Sequence, residues 1–419
     1  MDAPEGTEII LEGVNGAVFH ISGGDREGEE GVKLLSNELG TAFEDMYETP
    51  VETIYNSTAF EIGGRYGGLR EKMFEFSLAF IVRATPQRQW RINDSRFRKA
   101  LSYKKDAKLR VIIPGVSERW LTVRLRSNIK LKVSTNPNER RYGLILVPLV
   151  AAYPRWVEDD CTDTYTATTD TRPLAAPTLN TPTTATTGGT LAAATYYYKV
   201  TTLTSLGEST GSNEKSIATT GSTSKNTLTW SAVTGATGYR VYRSTSSGTE
   251  KLLATLGTVT TYADSGATVG TATVPTTNTA EVADEVGSVW VQNPTDTETW
   301  LKWVLQAGTE GIIWTLPDFS WGDDRFDRAD DDSDRMIELP TLHLNEHIVV
   351  DTDEMTMAGQ VVSSLDTQVY QRMNGREFLY PIPPYTDPIQ VPVAVRGAEV
   401  GNLVQVRCPR TWSRPWGLE

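Results

Sequence analysis

The feature that most constrains this chain is a change of composition in its middle. From about Thr162 to Thr279 the sequence is saturated with Thr, Ser, Ala and Gly, as in TDTYTATTDTRPLAAPTLNTPTTATTGGT, whereas Trp, Arg and Met are sparse there and common on either side. Such a shift marks a separate module bounded by flexible or extended linkers. The flanking parts must then build their cores without it. At 419 residues the chain is too long for one ordinary core, and two or three domains are expected.

The module is not a disordered tract. TYYYKVTTLTSLGES (195–209) alternates apolar or aromatic residues with Thr and Lys, and strand-like runs recur at 226–233, 237–248, 250–257 and 259–266. Strands of about six residues between Gly/Ser/Asn turns predict a small antiparallel sandwich. The residues YYYKVTTLTSLGESTGSNE, LTWSAVTGATGYRVYRSTSSG and TYADSG resemble an immunoglobulin-like or fibronectin type III domain, expected over 175–280. The resemblance implies Trp230, Tyr239, Val241 and Tyr242 in or beside its core.

The block before it mixes strands with one helix. GVKLLSNELGTAFEDMY (31–47) sets Val32, Leu35, Leu39, Phe43 and Met46 at helical spacing, which predicts a core-packing helix. MFEFSLAFIV (73–82) reads as a strand, and 108–134 as two or three strands whose basic residues alternate with apolar ones. That pattern predicts a half-buried sheet with a cationic outer face. After the module, 281–419 is β-rich, with strand runs at 286–306, 311–316, 335–351 and 390–397. Many short strands around aromatic residues predict a jelly-roll sandwich, with 141–158 supplying its first strand.

Overall charge argues against nucleic-acid binding as the chain's general purpose, because the formal net charge is −13. Locally the balance splits. Ser95–Ile145 holds 14 Lys/Arg against 3 Asp/Glu, a surplus of +11, and Asp318–Asp334 holds 8 Asp against 2 Arg, a deficit of −6. No run of 18 apolar residues occurs, so no membrane anchor is expected, and MDAPEGTEIILEG lacks the plan of a secretory signal. Cys161 and Cys408 are too few for a disulfide framework; they can pair with each other, or remain two thiols of a reducing cytosol, the commoner case.

Signals for catalysis are thin. HLNEH (343–347) matches the inverted zinc motif, with His343 and His347 as ligands and Glu346 as base. The motif needs a helix, yet Leu342, Leu344, Ile348 and Val350 alternate at period two. In a strand the two histidines stand about 13 Å apart, too far for one zinc ion. GGRYGG (63–68) lacks the lysine of a phosphate loop and reads as a turn-rich loop or flexible arm. The carboxylates of 323–335 do not follow a calcium-loop pattern and read as a solvated acidic loop. Trp290, Trp300, Trp303, Trp314 and Trp321 either form a sugar-stacking platform or, as strand-spaced tryptophans more often do, fill a core or interface. No catalytic residue, cofactor or metal is assigned.

The two outer blocks together resemble a distal tail protein, a minor tail protein of long-tailed phages of actinobacterial hosts. The residues that carry the resemblance are EIILEGVNGAVFHISGG, GVKLLSNELGTAFEDMYETPVETIYNST and GGRYGGLREKMFEF before the module. After it they are VWVQNPTDTETWLKWVLQ, the stretch WTLPDFSWGDDRFDRADDDSDRMIELPTLHLNEHIVVDTDEMTMAGQ, and FLYPIPPYT. The resemblance implies a mainly β chain without catalysis. It has a ring-forming belt domain (1–145, β-rich with one helix), a galectin-like jelly-roll sandwich (146–165 and 281–419) and the inserted module (175–280). It further implies a homo-hexameric ring at the virion's tail tip, made in the host cytoplasm, whose partners are the tail tube protein, the tape measure protein and the tail-tip hub protein. The inserted module is expected to decorate the particle and to offer a contact for a host surface glycan. In such a ring one patch must meet a different patch on the neighbour. The expected pair is a basic patch of Arg96, Arg98, Lys99, Arg124, Arg126, Lys130 and Lys132 against the acidic Asp323, Asp324, Asp327, Asp330, Asp331 and Asp332. DNA passing through the channel is the competing partner for the basic patch. The alternatives to a structural protein are a carbohydrate-binding adhesion protein and a virion-associated hydrolase.

Overall fold

A computed structural model describes residues 6–35, 46–57, 62–133, 135–323, 325, 327–356 and 359–418. The protein is mainly β, with several sheets and three helices among the described residues.

Its backbone is one long sheet that runs through both outer blocks. The order is Val18–Ser22, Glu8–Glu12, Ala107–Ile113, Ser117–Leu125, Trp156–Thr166, Leu403–Trp412, Lys302–Leu305, Ile348–Asp351 and Val361–Ser363. The two halves meet where Val157 pairs with Trp120. Off this path, Tyr142–Ala151 pairs along its whole length with Phe74–Arg83, from Tyr142↔Arg83 to Ala151↔Phe74. The strand alternates as the pleat requires, so Ile145, Val147, Leu149 and Ala151 are buried in the first core. The boundary expected at 145/146 thus falls inside a strand, and 146–151 pack with the first block. Trp156 and Trp412 close that same core.

Two expectations for the first block change. Within 31–47, Val32–Leu34 is a strand paired with Phe74–Arg83, not the opening of a helix. Residues 36–45 lie outside the described residues, and Met46 is fully buried. The helix that does pack on this core is Trp90–Ala100, which carries Arg96, Arg98 and Lys99. Trp90, Asn93, Phe97 and Ala100 recur at helical spacing and are its buried face, with Phe97 edge-on to Phe19 at 5.3 Å.

The second core lies between the far half of the long sheet and a four-stranded sheet ordered Glu285–Asn293, Thr386–Arg396, Ile313–Pro317, Met336–Glu338. The run at 286–306 divides between the two sheets. Glu285–Asn293 pairs with Thr386–Arg396, and Lys302–Leu305 pairs in the opposite sheet.

The middle residues fold as a sandwich with its own core. One sheet is Thr183–Ala185, Lys225–Thr229, Thr261–Asp264; the other is Lys215–Ala218, Thr195–Leu203, Gly238–Ser244, Lys251–Leu256. Trp230, Tyr239, Val241 and Tyr242 are all buried, and the Trp230 and Tyr239 rings meet at 5.6 Å. The connections are extended but not loose. Leu174 N–H bonds the Ala280 carbonyl, so the chain entering the module is tied to the chain leaving it, and Thr171 is bonded in both directions to 397–398.

Candidate functional site

HLNEH is neither helix nor continuous strand. Asn345 takes φ 64°, a left-handed conformation that Asn tolerates, and turns the chain between Leu342 and the strand Ile348–Asp351. The period-two pattern here encodes a tight turn followed by a strand, not one long strand. The turn spends every group of the would-be zinc site on structure. His343 Nδ1 bonds Glu310 at 2.8 Å, and His347 Nδ1 accepts the Ala307 N–H at 3.1 Å. Glu346 is fully buried. It accepts the His343 N–H at 2.9 Å, pairs with Arg372 and is bonded by the Thr367 hydroxyl. Burial opposes its ionisation, but Arg372 and Thr367 outweigh it and hold the carboxyl below its usual range. Among the described residues no three His, Cys, Asp or Glu side chains are grouped to hold a metal.

The tryptophans disperse. Trp303 and Trp314 are fully buried in the second core, whereas Trp290 is 51% exposed on an edge strand. Trp321 packs on Phe319 at 6.0 Å. Trp300 lines a cleft of about 470 Å³ with Tyr153, Arg155, Glu298, Lys302 and Asp351. Most of its charges are matched: Arg155 with Glu71, Lys302 with Asp351, Glu298 with Arg325; the carboxylate of Asp353, also in the lining, has no cation paired with it among the described residues.

The acidic loop is only partly solvated. Asp332 is buried and accepts from the Tyr380 hydroxyl at 2.6 Å and from Arg328 at 3.0 Å. Asp318, just before the loop, is 4% exposed and pairs with Arg335. Burial lifts it to about 6 against the pull of the Leu379 and Tyr380 N–H groups and Arg335. Asp323 pairs with Arg325. Asp327, Asp330 and Asp331 are exposed, and Asp324 lies outside the described residues.

The basic patch also divides. Arg96, Arg98 and Lys99 ride on the helix, not on a sheet face. Arg98 is paired with Asp94 at 2.9 Å, Arg124 with Asp106, and Arg126 with Glu75 at 2.5 Å. Lys130 and Lys132, on the exposed strand Lys130–Lys132, make no ion pair with any described residue.

What sequence reading did not find is the pairing of a two-stranded hairpin, Val51–Asn56 with Arg65–Glu71. GGRYGG, expected as a turn-rich loop or flexible arm, supplies much of its second strand. Gly68 holds φ 128°, and the register shifts beside Ile54. Apart from Gly68 every residue in both strands is exposed, including Val51, Ile54, Tyr55, Tyr66 and Leu69. Tyr55 and Tyr66 stack edge-on at 6.3 Å. The root is anchored: Thr49 Oγ1 donates to the Pro154 and Ser413 carbonyls at 2.9 and 3.0 Å, Tyr47 packs on Trp416, and Arg155 clasps Glu71. A lone two-stranded ribbon is marginal in water, and contiguous exposed apolar side chains mark a surface that another molecule covers. Its described strands offer exposed apolar and aromatic side chains that can give shape and adhesion.

No protein-family model matches the chain. It is 27% identical over 438 residues to minor tail protein Gp27 of Mycobacterium phage D29, which spans 99% of each chain. To minor tail protein Gp27 of Mycobacterium phage L5 it is 26% identical over 439 residues, again 99% of each. Among solved structures, the Dit protein (gp 19.1) of SPP1 aligns with 97% of this chain and 99% of its own at 8% identity and a TM-score of 0.37. A chain of the phage P2 baseplate in its activated conformation aligns over 97% and 98% at 10% identity and a TM-score of 0.34. Superpositions at that level carry no weight for assembly.

Proposed function

We propose that this chain, a phage minor tail protein by its full-length similarity to such proteins, is the distal tail protein: a structural virion component that closes a homo-hexameric ring between the tail tube and the tail-tip hub. The observation that carries this reading is the hairpin at 51–71. Six to seven extended residues reach about 20 Å. An arm of that length with both faces exposed supports an arm-on-neighbour contact, the head-to-tail kind that a closed ring requires. Lys130 and Lys132 against Asp327, Asp330 and Asp331 form the electrostatic part of the same interface. The tube, tape measure and hub proteins are its partners along the tail axis, and the inserted sandwich is an accessory module.

Native mass spectrometry and negative-stain electron microscopy of the purified chain, with cross-linking of intact virions, test the reading. Rings, or chain-to-chain cross-links through 51–71 in the virion, support it. A protein that stays monomeric in solution and gives no such cross-links in the particle overturns it. A second reading, a glycan-binding adhesion protein, draws on the cleft where Trp300 and Tyr153 stand among carboxylates. Saccharide titration that quenches tryptophan fluorescence in wild type but not in Trp300→Ala would favour it.

A further inference from the structure

Cys161 and Cys408 face each other across antiparallel strands. They are register partners in the pairing of Trp156–Thr166 with Leu403–Trp412, at the first position after a register shift. Residues directly opposite in such a pair share a face, with Cα atoms roughly 4.5–5.5 Å apart. A disulfide spans about 4.4–6.8 Å between Cα atoms. Cys161 Sγ also meets the facing sheet, where the Gln292 side-chain amide donates to it at 2.8 Å. Cys408 is buried in the second core, and Cys161 packs against it from a half-exposed position.

We propose that these two thiols are a modification site, closed to an intramolecular cross-strand disulfide by a low-molecular-weight disulfide such as oxidised glutathione. The half-exposed Cys161 thiolate attacks one sulfur of the oxidant, expels one glutathione thiolate and forms a mixed disulfide. Cys408 then loses its proton and attacks Cys161 Sγ, and the second glutathione leaves. Two protein thiols give up two electrons and two protons, and one oxidised glutathione becomes two reduced ones. Burial pushes the Cys408 thiol up to about 11, so the second step is the slower and Cys161 is the point of entry.

The bond has a structural consequence. The strand bearing Cys161 leads into the inserted module, and the strand bearing Cys408 is the last of the chain. A link between them encloses the entire module and holds the second lobe shut whatever the module does. Long closed loops gain most from such a link.

The test uses the full chain, treated with millimolar oxidised glutathione or with dithiothreitol. Oxidation should lower the intact mass by two hydrogens, take free thiols from two to none and yield a non-reduced peptide joining Cys161 to Cys408. It should raise Tm by several degrees over the reduced protein, reversibly. Cys161→Ser, a half-exposed position, should show none of these changes. Persistence of both thiols, a glutathione adduct that never resolves, or links only between chains would each overturn the proposal.

Discussion

The Arg119 guanidinium lies 3.6 Å from the centre of the Trp412 indole, with no solvent exposure. Its Nη1 donates to the carbonyls of Arg414 at 3.1 Å and Gly417 at 2.9 Å. One arginine of the first lobe thus binds the last strand and the tail beyond it. Trp412 in turn donates its indole N–H to Glu158 at 2.8 Å, on the strand that joins the lobes. Removing the guanidinium leaves two carbonyls to find other donors and a stacked ring without its cation. Arg119→Ala should cost about 3 kcal/mol. Arg119→Lys should not restore it, because an ammonium cannot stack and fork at once. Thermal unfolding measures the loss, and faster amide exchange confined first to 413–417 would locate it. An unchanged Tm in Arg119→Ala would contradict this account.

Glu285 is the clasp at the module's entrance. Its carboxylate accepts from Tyr165 Oη at 2.6 Å, Thr168 N at 2.8 Å, Thr168 Oγ1 at 2.6 Å and Thr169 N at 2.8 Å. Gly287 makes room, since a Cβ there would stand 2.0 Å from the Tyr165 ring. Burial disfavours the charge, but the hydrogen bonds from Thr168, Tyr165 and Thr169 outweigh it and carry the group down to about 2. A depressed carboxyl stabilises the fold above its unfolded pKa, and that stability is lost as pH falls through its folded one. The contribution is therefore complete above about pH 5 and disappears toward pH 2. Discounted for solvent screening at this half-buried site, it is worth about 1–2 kcal/mol. Glu285→Gln should lower Tm at pH 7 and converge on wild type near pH 2; parallel curves across that window would refute the assignment.

Asp318 should show the opposite sign. Its folded pKa, about 6, lies above the ordinary 3.8, so the unfolded chain ionises first and stability falls as pH rises from about 4 to 6. Asp318→Asn keeps the acceptor that faces the Leu379 and Tyr380 N–H groups and should flatten this segment of the stability curve. The mutant-minus-wild-type Tm difference, measured at pH 4, 5, 6 and 7, should grow more positive with pH; a flat difference would rule out titration at this site.

How much was legible follows from what each pattern can encode. Period-two burial made Phe74–Arg83 and the strands of 107–125 readable, because alternation reports one wet and one dry face. The same rule misread 342–350: Leu344 fits the period-two pattern yet stands exposed in the turn at Asn345, which carries the chain from Leu342 to the strand Ile348–Asp351. Composition exposed the middle module but said nothing of the tie between Leu174 and Ala280. Trp90, Asn93, Phe97 and Ala100 carried a helical signal hidden by the basic residues between them. Charge counting misplaced Arg119 and Asp332, both buried, because a count holds no partner information. The arm reading of GGRYGG touched the hairpin, but its strand pairing left no signal: its residues bury nothing within this chain, so no intrachain core selects their pattern.

That hairpin offers a separable test. Its side chains contact solvent, so Tyr55→Ser with Tyr66→Ser should leave monomer stability within about 0.5 kcal/mol of wild type. Self-association should fall by an order of magnitude or more, because exposed aromatic side chains act as anchors once covered. Analytical ultracentrifugation reads the association and calorimetry the stability. Association that survives the double change would remove the arm from the interface.

In the proposed ring interface, salt should separate the electrostatic part from the apolar part. Arg98, Arg124 and Arg126 are already paired within the chain, so their replacement should alter assembly little. Lys130 and Lys132 have no such partner among the described residues, and Asp327, Asp330 and Asp331 are exposed. If these two groups meet between copies, Lys130→Glu with Lys132→Glu should weaken assembly most at about 0.05 M salt. The difference from wild type should shrink toward 1 M, where the screening length falls to about 3 Å. The apolar arm contact should persist across the same range, because burial of apolar surface does not depend on charge. Wild-type assembly indifferent to salt, together with a Lys130/Lys132 variant that assembles normally, would remove the charged groups from the proposed interface and leave the arm alone in it.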